Sequence, residues 1–242
     1  MERQPLSEAL ASETGKAVYV RRLFATIADR YDLITRVLSY GRDAAWKRRL
    51  VAMSGAGPGT RVLDLACGTG DIAFALAERG ARVTGLDLTL RMIELARSKS
   101  PPRPAVAFLT GDMMGLPFAD GARFDVVTAG YGLRNVPRLE PAIGEIRRVL
   151  RPGGLLLSLD FNRPSSALMR GIYLGYLTIV GSALGWILHR DPDTYRYIPE
   201  SIERYPGADG VASLLERSGF QDCRVVPLLG GLMAINTARR LR

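Results

Sequence analysis

The stretch RVLDLACGTG, Arg61 to Gly70, decides the fold. It begins as an apolar run around Asp64, too short for a helix and bounded by a glycine-rich turn, so it reads as a buried strand. Gly68 and Gly70 let the backbone turn tightly and come close to a ligand. DIAFALAERG then reads as a helix closed by Gly80. This strand–turn–helix rhythm continues. RVTGLDL is a second strand and LRMIELARSK a second helix, broken by PPRP. VAFLTGD and FDVVTAG are the third and fourth strands. PAIGEIRRVL is a helix ended by RPGG, and LLLSLDF is a fifth strand. Such alternation predicts an α/β fold with a mostly parallel sheet and helices on both faces. Ligands of such sheets sit at the carboxyl ends of the strands. Asp64–Gly70, Asp87, Asp112 and Gly130–Asn135 therefore share one edge.

Upstream, Phe24, Ile27, Ala28, Tyr31, Ile34, Val37 and Leu38 follow helical spacing, which predicts a helix ended at Gly41. Asp43 is placed to cap a second helix carrying Trp46, Leu50 and Met53, and SGAGPGT reads as a linker. Downstream of Phe161, apolar helical sequence runs to Leu188. DPDTYRYIPESIERYPG follows, then a helix ending in SGF and the strand-like pieces CRVVPLL and LMAINT. The chain of 242 residues fits one domain. Within it, 17–53 are N-terminal helices on the substrate side, 60–161 a cofactor-binding core, 162–205 a helical insert or lid, and 206–242 a C-terminal helix and strands.

The formal charge of +9 suits an acidic ligand, nucleic acid or an anionic membrane, but it is scattered, so no nucleic-acid partner is expected. Two cysteines, Cys67 and Cys223, read as free thiols in a reducing compartment. The N-terminus MERQPLSEALASE shows no signal-peptide pattern. His189 is the only histidine, so no Ser-His-Asp or zinc cluster can be assembled, and no metal is expected.

DLACGTG is neither GxGxxG nor a phosphate loop with its lysine. Without a pyrophosphate grip, a nucleoside lacking phosphates fits better. Asp87, about twenty residues on, is placed to accept hydrogen bonds from a ribose diol. Asp112 can face an adenine amino group, and Met113 can cover the ring. Together these strand-end signals resemble class I S-adenosylmethionine-dependent methyltransferases. A Rossmann dehydrogenase is the rival, and its third glycine is missing here.

FATIADRYDLITRVLSYGRDAAWKR, GDMMGLPF, YGLRNVP, RVLRPGG and TYRYIPESI occur in that order. The chain resembles, from about Val20 to Asn236, the ubiquinone/menaquinone biosynthesis C-methyltransferase family, which methylates polyprenyl quinols. The resemblance implies a Rossmann-like class I methyltransferase fold with S-adenosyl-L-methionine as cofactor. The residues and the resemblance together place Asp64, Gly68, Thr69, Gly70, Asp87, Asp112, Met113 and Gly130 at the cofactor. The family's active-site resemblance falls on Arg134 and Asn135. Arg134 would stabilise a phenolate and Asn135 would hold the second oxygen or a water. Proton removal falls to water or a carboxylate, with Asp32 the candidate and Tyr31 its orienter; Tyr31 and Trp46 are equally well read as core. The chain departs from the family pattern at Thr35 (usually Asn), at SALG, which lacks a proline, and at Asn236 (usually His); Thr35 and Asn236 bear on substrate fit.

The expected activity is C-methylation of a polyprenyl quinol, demethylmenaquinol to menaquinol first. The alternatives are another small aromatic or lipid acceptor, and a non-catalytic cofactor-binding subunit of a quinone-biosynthesis assembly. Gly171–Leu188 is read as a lid or wall for the isoprenoid tail or as an ordinary buried helix, ahead of a membrane span. Expected partners are the quinol, transient contact with a membrane surface and, in a homodimer, a second copy. The expected location is cytoplasmic, peripheral on the inner face of the membrane.

Overall fold

The computed structural model describes residues 6, 10, 12–100, 106–120, 124–164 and 166–241. The PPRP break, 101–104, and most of MERQPLSEALASE lie outside these residues. The apolar runs form β1 (Arg61–Leu65), β2 (Arg82–Asp87), β3 (Ala107–Thr110), β4 (Phe124–Gly130), β5 (Leu150–Phe161), β6 (Phe220–Leu228) and β7 (Met233–Arg240). They make one sheet in the order β3-β2-β1-β4-β5-β7-β6. β1 to β5 are parallel, and β7 runs antiparallel to both of its neighbours. The strand order reverses at β1, where β2 and β4 flank it, which is where a parallel sheet opens a crevice.

The helices are α1 (Glu13–Ile27), α2 (Tyr31–Leu38), α3 (Asp43–Met53), α4 (Asp71–Glu78), α5 (Leu90–Lys99), α6 (Leu139–Val149), α7 (Ala167–His189), α8 (Tyr197–Arg204) and α9 (Gly207–Arg217). Alternation along each strand sorts the core into two layers. Val62, Val126 and Leu157 face α3, α4 and α5. Leu63, Val127 and Leu156 face α6 and α9. A third apolar cluster joins α1, α2, α7 and α8 around Tyr195 and Tyr197.

Four details differ from the sequence expectations. The helix predicted through Leu38 is interrupted by a 3-10 turn at Ala28–Arg30, which a 3.6-residue period alone does not reveal. Asp43 is the first residue of α3, and its side chain makes no cap; it pairs with Lys47 at 2.7 Å. The fifth strand begins before LLLSLDF, because RPGG is a bulged part of the long strand β5. The apolar stretch after Phe161 is not an ordinary buried helix, since Tyr173, Leu177, Gly181 and Gly185 are the residues of α7 that are buried. His189 ends α7, its Nε2 2.8 Å from the Tyr195 hydroxyl.

Candidate active site

The ends of β1 to β4 form the floor of a cavity of about 710 Å³, open mouth included. Gly68, Asp87, Asp112, Met113 and Gly130 line it, and Ala17, Val20 and Phe24 of α1 cover it. Asp87 is fixed by backbone donors: Gly68 N–H reaches Oδ2 at 2.9 Å and Thr89 N–H reaches Oδ1 at 2.8 Å. Each oxygen keeps a lone pair for a diol. Burial pushes this carboxyl up, and the two backbone donors pull it back. Asp112 is braced by Met114 N–H at 2.8 Å. Among the described residues, the lining holds two carboxylates and no lysine or arginine. That donor set fits a cationic sulfonium nucleoside and disfavours a pyrophosphate.

The backbone is strained at two of these strand ends. Ala66 and Tyr131 adopt left-handed φ values of 49° and 57°, uncommon for residues other than glycine. Between them, a Cβ on Gly132 would come within 2.7 Å of Ala66 Cβ and 3.2 Å of Met113 Cε. A side chain there would push directly into the cofactor wall.

Three predicted cofactor residues do not line the cavity. Asp64 points into the core under the loop, where its Oδ1 accepts from Thr128 Oγ1 at 2.6 Å. Its Oδ2 is buried without a partner, and burial pushes its pKa up to about 7. Thr69 turns away and donates to Asp32 Oδ1 at 2.7 Å. Gly70 is the N-cap of α4 at φ 95°, where a Cβ would strike the Phe74 ring at 2.6 Å. All three shape the loop, while Gly68 meets the ligand space.

A second cavity, of about 540 Å³, adjoins the first. Phe24, Tyr31 and Tyr131 line both and mark the junction. Its far walls are apolar, from Leu23 and Ile27 of α1 and Ile34 and Leu38 of α2. Arg134 is its cationic group, and it is 5% exposed. Its Nε–H donates to Asp160 Oδ1 at 3.1 Å, and one terminal N–H donates to Ser201 Oγ at 2.6 Å. Its backbone N–H also reaches Asp160, at 3.1 Å, and the Phe161 ring lies 4.9 Å away. Burial pushes Asp160 up, while Arg134 and the backbone N–H groups of Arg134 and Phe161 pull it down. Asn135 lines the cofactor side, donating to Tyr131 O at 2.7 Å and accepting from the Tyr197 hydroxyl at 3.0 Å.

Tyr31 thus stands at the junction, with Asn135 on the first cavity and Arg134 on the second, and Asp32 does not line either cavity. Burial pushes the Asp32 carboxyl up, but hydrogen bonds from Lys99 and Thr69 and the charges of Lys99 and Lys47 hold it below the usual carboxylate range. Its second oxygen pairs with Lys99. Such a carboxylate is a weak proton acceptor, and its contacts make it a brace for the Thr69 loop. Thr35 lines the second cavity. Asn236 is on neither wall; it holds Ala208 O at 2.8 Å, beneath α9.

Several supporting residues were not predicted. Asp160 and Ser201 fix the arginine, and Tyr197 fixes Asn135. The Tyr131 hydroxyl donates to Asp43 at 2.7 Å, and Lys47 bridges Asp43 and Asp71. Lys16 donates to the carbonyls of Arg134 and Val136, pinning α1 to the loop. Burial and the charges of Arg134 and Arg204 pull the Lys16 pKa down to about 8. The available signals were two, an acid inside an apolar strand (LLLSLDF) and the polar residues of TYRYIPESI.

Comparison with known proteins agrees with this geometry. Residues 12–240 match the model of the ubiE/COQ5 methyltransferase family. A demethylmenaquinone methyltransferase of Thermus thermophilus is 41% identical over 90% of this chain and 100% of its own. That of Beutenbergia cavernae is 40% identical over 92% of this chain and 91% of its own. Among solved structures, an Aquifex aeolicus SAM-dependent methyltransferase matches with TM-score 0.64 at 16% identity, covering 90% of this chain and 98% of that one. Haemonchus contortus phosphoethanolamine N-methyltransferase 2, in complex with S-adenosyl-L-methionine, matches with TM-score 0.61 at 16% identity, covering 90% and 60%. With a strand-end cofactor cavity opening onto a buried arginine, the chain belongs to the ubiE/COQ5 methyltransferase family and is an S-adenosylmethionine-dependent methyltransferase.

Proposed function

We propose that the acceptor is the ring carbon of a polyprenyl quinol, demethylmenaquinol first, and the product menaquinol. One observation carries this reading: a guanidinium with donors to spare faces an otherwise greasy cavity beside the cofactor cavity. Arginine has five N–H donors. Asp160 and Ser201 engage two of Arg134's, which leaves three for a ligand oxygen. Leu23, Ile27, Ile34 and Leu38 suit the first part of an isoprenoid tail.

When bound, S-adenosylmethionine supplies an electrophilic methyl group on a sulfonium. Arg134 holds the ring oxygen as a phenolate, which raises electron density on the neighbouring carbon. Asp160 and Ser201 keep the guanidinium in place, so little reorganisation is needed during transfer. Asn135 takes the second oxygen or a water. Tyr31, whose phenol burial keeps protonated, orients the ring at the junction. The hydroxyl proton leaves to water, since arginine does not accept it and Asp32 lies outside the cavity. As the ring carbon–methyl bond forms, the methyl–sulfur bond breaks and its electron pair stays on sulfur; the ring carbon then loses its proton to water and the oxygen regains one, so one ring C–H becomes C–CH3 with one proton released overall. The reading places the protein in the cytoplasm, peripheral on the inner face of the membrane that holds its lipid substrate.

The test is methyl transfer from labelled cofactor to reduced demethylmenaquinone, with the reduced benzoquinone precursor and both oxidised quinones alongside. Label in reduced demethylmenaquinone and none in the oxidised controls is the expected result. Cofactor binding with no label in either quinol overturns it.

A further inference from the structure

We propose that the outward face of α7, with the outer side of α2 beside it, is a docking surface for the interface of an anionic phospholipid bilayer. Among the described residues, α7 is the one helix long and apolar enough to cross a membrane, yet its packing fixes it along the protein. The contact stripe is made partly of glycines. A Cβ on Gly181 would lie 3.2 Å from Tyr195 Cβ, and Gly185 packs against Asp191 and Pro192. Gly181 and Gly185 share this stripe with the buried Tyr173 and Leu177, and other large apolar side chains point out. Leu168 is 75% exposed, Ile172 60%, Ile179 72%, Trp186 56% and Ile187 62%. No charged residue interrupts Gly171 to Leu188. An exposed apolar strip of this kind marks an interaction site.

α2 packs against α7, and Tyr40, just beyond α2, stacks on Tyr176 at 5.1 Å. Leu33 and Val37 on α2 are exposed as well, while its inner residues Ile34 and Leu38 line the acceptor cavity. The docking face and the acceptor wall are thus two sides of one helix.

Charge selects the occupant. Arg190 lies over the Trp186 ring at 5.3 Å, Arg30 donates to Leu188 O at the end of α7, and Arg36 is exposed on α2. The nearby carboxylates Asp29 and Asp32 are paired with Arg91 and Lys99. An apolar strip with an interfacial tryptophan and an arginine rim matches a helix lying in the plane of an anionic surface. The proposal draws on the quinol reading for its purpose, but vesicles without quinol test it alone.

The experiment is flotation of the full chain with phosphatidylglycerol-rich or pure phosphatidylcholine vesicles, at low and high salt. The wild type should float with anionic vesicles at low salt. Ile179→Glu/Trp186→Glu should lower the bound fraction about ten-fold, and Arg36→Glu/Arg190→Glu should lower it selectively on anionic vesicles. Both variants should keep cofactor affinity and turnover on a detergent-solubilised short-tailed quinol. In the wild type, Trp186 should be quenched by lipids brominated near the headgroup; Trp46 is buried and stays constant. Wild-type protein that does not float overturns the proposal, as does a glutamate variant that floats undiminished. If that undiminished variant also changes from dimer to monomer, the face belongs to a second copy. Quenching chiefly by chain-end bromines would mark a spanning helix and likewise overturn it.

Discussion

The two cavities meet at Tyr31 and Tyr131 but are built by opposite means. The cofactor wall is backbone and carboxylate at the ends of parallel strands, with Asp87 held by two main-chain donors. The acceptor wall is made of helices, and its polarity is concentrated in Arg134, held by side chains from β5 and α8. The first site is rigid because the sheet is rigid. The second is rigid only as long as its hydrogen-bonded ion pair stays intact. Substitutions should therefore separate into binding defects on one side and folding or turnover defects on the other.

The largest effect is expected at Asp160. Asp160→Ala leaves the Arg134 guanidinium buried without its counterion, which typically costs about 3–5 kcal/mol. Calorimetry should show a melting temperature lower by roughly 10 °C. Asp160→Leu combined with Arg134→Met should restore most of that stability, because apolar replacement of a buried pair is often neutral or better. Turnover should stay absent in the double variant, which separates the pair's role in the reaction from its role in the fold. Arg134→Ala alone should lower kcat by about 10²–10³-fold while the affinity for S-adenosylmethionine changes less than about two-fold. Unchanged turnover would make Arg134 an ordinary loop arginine.

Asp87 gives the reverse pattern. Asp87→Asn keeps the shape but loses a charged acceptor, so the calorimetric Kd for S-adenosylmethionine should rise about 10–100-fold. The kcat at saturating cofactor should stay close to wild type. A kcat loss without an affinity loss would move Asp87 from binding to catalysis.

Beneath the cofactor loop, Asp64 makes a pH test. Its folded pKa is raised to about 7 by burial, above that of the unfolded chain. The folded state therefore holds a proton that the unfolded state has lost. This contribution is complete below the unfolded value and disappears as pH rises through about 7. Asp64→Asn imitates the neutral form and keeps an acceptor for Thr128. The two proteins should melt alike near the unfolded pKa. Above about 7 the variant should lead by on the order of 4 kcal/mol. A constant gap at every pH would mean that Asp64 is ionised throughout.

How much of this was legible follows from the same contrast. Asp87, Asp112, Met113 and Gly130 were found because each lies at or just after the end of an apolar strand, and the sheet brings strand ends together. Asp64 was placed in the same group because a motif gives position on the chain, whereas strand alternation puts its side chain on the Val62 side. Arg134 and Asn135 were visible as polar residues where a core strand stops. Asp160 carried a similar signal and was passed over, since its partner lies 26 residues earlier. The orientation of α7 was not legible, because apolarity does not say which side of a helix packs, and its glycines lie on both sides, Gly181 and Gly185 buried and Gly171 and Gly175 exposed.

The smallest effect is expected at Asp32, the carboxylate that sequence alone nominates as the base. Asp32→Asn should still accept from Thr69 and lose only the pair with Lys99, which is about two-fifths exposed (41% and 43% for the two side chains). Such a pair contributes about 0–1 kcal/mol. Since its folded pKa is lowered, that contribution is present above the unfolded value and is lost as pH falls through the folded one. Turnover should stay within about three-fold, and the pH–rate profile should keep its acid limb. A loss of about 10²-fold with the acid limb gone would show that Asp32 reaches the acceptor after all. The loop that Thr69 anchors would then have to move during the reaction, and the acceptor site would be less fixed than its hydrogen bonds indicate.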